Sequence, residues 1–150
     1  DNTSQLKKDW ETQKHNEKKR KSRLDGVPNT LPALIRAQRL QEKASYAGFD
    51  WEKIEDAWKK LHEELNELKS AQKLGDIENI KEEIGDVLFS VVNLSRFFNV
   101  AAEDMLRYAN RKFIKRFQYI EQKLKNEGEK LEDCSLEKMD EIWEQAKNQT

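Results

Sequence analysis

The sequence of 150 residues is one domain's worth of chain, enough for a single hydrophobic core. Lysine plus arginine (28) nearly balances aspartate plus glutamate (29), which excludes a global basic field for nucleic acid and an acidic tail. The single cysteine, Cys134, excludes an internal disulfide framework, and no stretch reaches the roughly 18 apolar residues of a membrane span, so a reducing, cytoplasmic setting is expected.

Charged residues make up 38% of the chain and the mean hydropathy is -1.03, yet Leu, Ile, Val and Phe recur at regular intervals. That combination fits long amphipathic helices with charged outer faces. Proline and glycine fall where turns belong, at Gly26, Pro28, Pro32, Gly48, Gly75 and Gly128, with Gly85 as the exception. Between them the spacing predicts helices over residues 5–22, 32–46, 51–73, 77–99 and 102–127, and a short one over 135–147. Asp50, Asp76 and Ser135 are the expected N-caps, each followed by acids in the first turn. No segment alternates with period two for long enough to argue a strand. The fold class is therefore all-α, and short connections such as Leu74-Gly75-Asp76 imply antiparallel neighbours in a helical bundle.

Residues 1–30 contain few large apolar side chains, a basic run Lys18-Lys19-Arg20-Lys21 and a Gly-Val-Pro turn, and read as a connector or appended arm. Trp10-Glu11-Thr12-Gln13-Lys14 echoes Trp143-Glu144-Gln145-Ala146-Lys147. With Asp1 in place of an initiator methionine, the echo suggests the tail of a preceding, similar module, leaving 31–150 as the main domain. The basic run lacks interleaved aromatics and reads as a solvated helix face rather than a nucleic-acid site.

In the third predicted helix, Ile54, Ala57, Trp58, Leu61, Leu65 and Leu68 define an apolar face at helical spacing. Glu64 projects within that face, Glu67 onto its border, and Glu63 further round toward water. A carboxylate in Glu64's position must be paired, protonated or coordinated. In the fourth, Val87 to Phe98 is apolar nearly all round, which predicts a central helix buried on more than one side. Glu83 and Asp86 precede that run, about 60° apart in projection, so their carboxylates can converge. Gly85 between them costs about 1 kcal/mol relative to Ala, and close approach of a backbone or a ligand would explain it. Folding the two helices antiparallel about Gly75 can bring Glu64, Glu67, Glu83 and Asp86 together, an all-oxygen set suited to Mg²⁺ or Mn²⁺. The same spacing also fits an ordinary solvated face.

The fifth predicted helix has an apolar face of Ala102, Leu106, Ala109, Phe113, Phe117, Ile120 and Leu124, with Lys112 and Arg116 at its edge. These cations suit the oxygens of a polyphosphate, or snorkel to neighbouring acids. Trp143 and Trp51 read as core residues, with base stacking as the sharper alternative. Gln38, Gln41 and Lys43 read as a solvated helix face, with contact to a base edge as the alternative.

Leu31 to Trp51, Glu63-Glu64-Leu65-Asn66-Glu67-Leu68, Glu82 to Arg96, Ala109 to Phe117 and Glu141 to Lys147 together resemble, in order and spacing, the MazG nucleoside triphosphate pyrophosphohydrolases. Asp9 to Leu34 resembles the connector between the two modules of a tandem MazG, which makes this chain its C-terminal module. The resemblance implies an all-α fold completed by dimerisation, and a Mg²⁺-dependent hydrolysis of NTP to NMP and pyrophosphate that serves nucleotide-pool clean-up. It implies Glu64, Glu67, Glu83 and Asp86 as metal ligands and Lys112, Arg116, Trp143 and Lys147 as substrate-binding residues. Water would attack the α phosphorus, with Glu64 and then Glu63 the candidates for its base. Nucleoside triphosphates and a second copy of the chain are the implied partners, with neither membrane nor nucleic acid among them.

A di-iron bundle needs Glu three residues before each of two histidines, but Thr12 and Lys59 precede His15 and His62, so that reading fails. A non-catalytic helical adaptor, or a module that binds nucleotide without cutting it, stays as the alternative. Cys134 has no nearby histidine in sequence to make it a nucleophile.

Overall fold

The computed structural model describes residues 2–18 and 21–149. Among these residues six α-helices follow one another: α1 Asn2–Lys18, α2 Ala33–Tyr46, α3 Ile54–Leu74, α4 Ile77–Phe97, α5 Ala102–Asn126 and α6 Leu136–Lys147. Among the described residues there is no strand, as the absence of period-two alternation led one to expect. No single helix among them is long and apolar enough to cross a membrane. The predicted first helix forms but ends at Lys18, and Lys19 and Arg20 of the basic run lie outside the described residues.

The chain divides into two compact units, Asp1–Glu103 and Asp104–Thr150. In the first, α3 and α4 make the most extensive helix pairing, while α2 packs on α4 and α1 on α2. Local chemistry sets the α3–α4 hairpin. Gly75 adopts φ 67°, the left-handed conformation that ends a helix without a Cβ clash, and the Asp76 side chain then accepts from the Asn79 N–H at 3.2 Å. Two residues of turn leave no room for anything but an antiparallel partner.

Asp50 departs from its expected role as an N-cap. α3 begins only at Ile54, where the Lys53 side chain makes no capping bond. The Asp50 carboxylate instead accepts from Arg96 Nη2 at 2.7 Å, and Arg96 also donates to Asn93 Oδ1. A charge-assisted bond to a guanidinium 46 residues away outcompetes a local cap. It ties the loop before α3 to the last turn of α4.

Gln41 and Lys43 are buried rather than solvated. Gln41 Nε2 donates to the Phe89 carbonyl of α4 at 3.0 Å, and Lys43 Nζ pairs with Glu11 of α1 at 2.7 Å. Gln41 and Lys43, two residues apart and so on nearly opposite sides of α2, each meet a different neighbour, while Gln38 bonds Glu42 along the helix.

The expected burial of α4 on more than one side is met, since α3 and α2 both pack on it, but one face stays open. Val92 and Leu94 are buried, but Ile77, Ile84, Leu88 and Val91 are exposed, Leu88 by 53%. These four lie within about 60° of one another in projection and form one stripe. Encircling a helix takes more neighbours than the two, α3 and α2, that pack on α4 in this unit. On α3, Ala57 and Ala71 are buried, whereas Trp58 and Leu65 are exposed and Trp58 stacks on His62 at 6.1 Å.

In the second unit, Ile120, Leu124 and Ile142 form a buried cluster against which Phe117, Tyr119, Leu131, Cys134, Met139 and Trp143 pack. Gly128, at φ 70°, follows α5, a 3-10 turn over Leu131–Asp133 follows, and Ser135 accepts from the Lys138 N–H to start α6. Lys138 also bridges Glu127 and Glu129, whose hydrogen bonds raise its pKa well above the usual lysine range. The expected apolar face of α5 is buried at Ala102, Ile120 and Leu124, whereas Leu106, Ala109 and Phe113 between them are exposed.

Candidate metal centre

Helical periodicity on α3 aims Glu64 at α4, and the tight hairpin sets Glu83 opposite it. Glu64 is 5% exposed and Glu83 9%, both far more buried than carboxylates usually are. Asp86, one turn beyond Glu83, is exposed. One oxygen from each of Glu64, Glu83 and Asp86 lies within 4.8 Å of the others.

The electrostatics of the pair are unequal. Glu64 Oε1 accepts from the Lys60 ammonium at 2.9 Å, and that bond holds the Glu64 carboxyl below its ordinary range against the opposing effect of burial. Among the described residues Glu83 has no such cation. Burial pushes it up to about 7, with the Glu64 and Glu67 carboxylates adding to the shift. Glu64 Oε2 and Glu83 Oε2 are buried without a hydrogen-bond partner among the described residues. Buried carboxylate oxygens without a partner are costly, and a shared proton or a cation relieves the cost. An all-carboxylate set takes hard divalent cations such as Mg²⁺ and Mn²⁺. The residues present fit such an ion.

A pH dependence follows. Because the folded protein holds a proton on Glu83 that the unfolded chain has already released, stability of the metal-free protein falls as pH rises from about 4.5 to about 7, then levels off. Melting temperatures in EDTA across that window are expected to show the decline, and Glu83→Gln to flatten it.

The other candidates lie as follows. Glu67 is exposed and outside the three-residue set, although its charge acts on Glu83. Glu63 is exposed, 4.0 Å from the Lys60 ammonium. The anticipated close approach at Gly85 is not found among the described residues, since a Cβ built there meets nothing within 4 Å. In the second unit, the Arg116 guanidinium lies over the Trp143 ring, 5.5 Å from its centroid, and Trp143 sits tilted against Phe113 and on the apolar cluster, a core position. Lys112 is exposed beside the Tyr108 ring, and Lys147 pairs with Glu144 at 2.9 Å. Lys60 was missed, although its place one helical turn before Glu64 is readable as an i,i+4 pair.

Residues 52–120 match the MazG nucleotide pyrophosphohydrolase domain. Over that stretch the chain is similar to the MazG family. The matched stretch includes Glu63, Glu64, Glu67, Glu83, Asp86, Lys112 and Arg116 and stops short of Trp143 and Lys147. The chain is 48% identical over 142 residues to the nucleoside triphosphate pyrophosphohydrolase/pyrophosphatase MazG of Thermotoga maritima, covering 93% of this chain and 54% of that protein. It is 37% identical over 154 residues to the nucleoside triphosphate pyrophosphohydrolase of Escherichia coli K12, covering 99% and 59% respectively. The uncharacterized protein YabN of Bacillus subtilis is 47% identical over 141 residues, covering 92% of this chain and 29% of that one. The chain thus spans little more than half the length of the first two relatives. The all-α architecture around the MazG stretch agrees with the expected fold class.

Proposed function

We propose that this MazG-like domain hydrolyses nucleoside triphosphates to nucleoside monophosphates and pyrophosphate, with Mg²⁺ as the cation, Mn²⁺ as a substitute, and nucleotide-pool clean-up in the cytoplasm as its role. The observation that carries the reading is that the MazG match contains two buried, facing carboxylates with orphaned oxygens, Glu64 and Glu83, and Asp86 beside them. Glu64, Glu83 and Asp86 are the proposed ligands, with Glu67 the fourth. A divalent cation there would neutralise phosphate oxygens and lower the pKa of the attacking water. Glu64 is the first candidate to take the proton from that water and Glu63 the second. Breakage of the α–β phosphoanhydride then leaves pyrophosphate, on which we assign charge neutralisation to Lys112 and Arg116. Trp143 and Lys147 are further substrate-binding candidates. The reading includes neither a membrane nor a nucleic-acid partner.

The exposed apolar stripe on α4 supports a homodimer as the working form. Residues 1–30 as a connector and 31–150 as the domain belong to the same reading.

The test is to incubate the purified chain with mixed NTPs and Mg²⁺ and resolve products by phosphorus NMR, with Glu67→Ala alongside. Monophosphate and pyrophosphate, lost in the variant, are expected. Diphosphate and phosphate would refute the site of cleavage. No turnover by folded dimer would move the assignment to a nucleotide-binding module or helical adaptor.

A further inference from the structure

We propose that Lys60 is the built-in counter-ion of the metal-free acidic cluster, and that it must yield Glu64 to the divalent cation, so that this lysine sets how tightly the site takes its metal. The inference rests on the reading of the cluster as a metal site and deepens it. Glu64 is the most buried carboxylate of the cluster and its two oxygens are treated differently: Oε1 accepts from the Lys60 ammonium at 2.9 Å, while Oε2 is buried without a partner. The ammonium therefore already supplies part of what a cation would supply. A divalent ion on the same carboxylate and a lysine ammonium repel one another, and the closer they sit the larger the penalty.

Two features make Lys60 able to leave. Its side chain is 43% exposed, so the ammonium can return to water at little cost. It also has a second acceptor within reach. Glu63 Oε2 lies 4.0 Å away on the exposed side of the same turn, so a small swing carries the ammonium from the buried acid to the solvated one. Lys59, next in sequence, carries the same charge, is exposed, and makes no ion pair with the cluster among the described residues. Lys81 on α4 is occupied by Glu78. Lys60 alone among these lysines touches a candidate ligand. Glu63 then has a role as the lysine's resting place that does not require it to touch the metal.

Mn²⁺ alone is the probe, titrated into the full chain and followed by calorimetry and by the electron paramagnetic resonance signal of the free ion. Wild type, Lys60→Met, Lys60→Gln and the charge control Lys59→Met are compared. Lys60→Gln keeps a hydrogen-bond donor for Glu64 if the methionine variant folds poorly. Both Lys60 variants are expected to bind Mn²⁺ roughly 5- to 10-fold more tightly than wild type, against less than 2-fold for the control. Lys60 variants that bind no more tightly than Lys59→Met overturn the counter-ion role and leave the metal site standing. A wild-type chain that binds no Mn²⁺ at millimolar concentration overturns both.

Discussion

Glu64→Gln is expected to lower NTP turnover by about 10²-fold or more and to abolish the rise in melting temperature caused by Mg²⁺, while the helical content stays unchanged. The substitution preserves shape and leaves a carbonyl oxygen for Lys60, so the fold has little reason to respond. What it removes is negative charge at a position with one oxygen paired and the other unsatisfied. A cation at the cluster loses a ligand, and the water that attacks the α phosphorus loses its first candidate base; either loss alone accounts for a factor of this size. Reading both quantities separates the roles. A ligand that stabilises only the folded state raises its melting point by mass action, so loss of the Mg²⁺ effect reports on binding independently of chemistry. A variant that keeps full turnover and the Mg²⁺ effect would remove Glu64 from the mechanism. One that keeps the Mg²⁺ effect but not turnover would make it the base.

Leu88→Glu is the second large effect. Ile77, Ile84, Leu88 and Val91 form an exposed apolar stripe on a helix whose other sides take α3 and α2. Burying a leucine fully is worth about 1.5–3 kcal/mol, and in a two-fold dimer each substitution is felt twice. An unpaired carboxylate at the same place adds a desolvation cost. The dimer dissociation constant should therefore rise by more than about 100-fold, with sedimentation velocity shifting to monomer at micromolar chain. A wild-type chain that sediments as a monomer would refute the dimer at once.

Glu64 and the α4 stripe differ in how far the sequence reveals them. The inward direction of Glu64 was readable because it depends only on 3.6-residue periodicity, and Glu64 is indeed buried. The stripe on α4 was readable as apolar but not as exposed. Periodicity reports which face of a helix avoids water, and only the arrangement of neighbouring helices decides whether something in the same chain covers it. The burial of Gln41 and Lys43 is not legible in the sequence for a related reason. Their partners, Phe89 and Glu11, lie 48 and 32 residues away, beyond any local pattern.

What the sequence determined by itself was local: all-α structure, helix limits near Gly75 and Gly128, caps at Asp76 and Ser135, and the placing of acids on facing helices. Such features involve residues within a turn or two of one another, where steric and hydrogen-bonding preferences act without help. The tertiary structure alone decided that Asp50 serves Arg96 instead of capping α3, and that Glu64 and Glu83 are enclosed together with different proton affinities. It also decided that Lys60 takes the one oxygen of Glu64 that is satisfied. Desolvation and through-space charge set these outcomes. Both depend on how much water the packed helices exclude, a quantity no single segment carries.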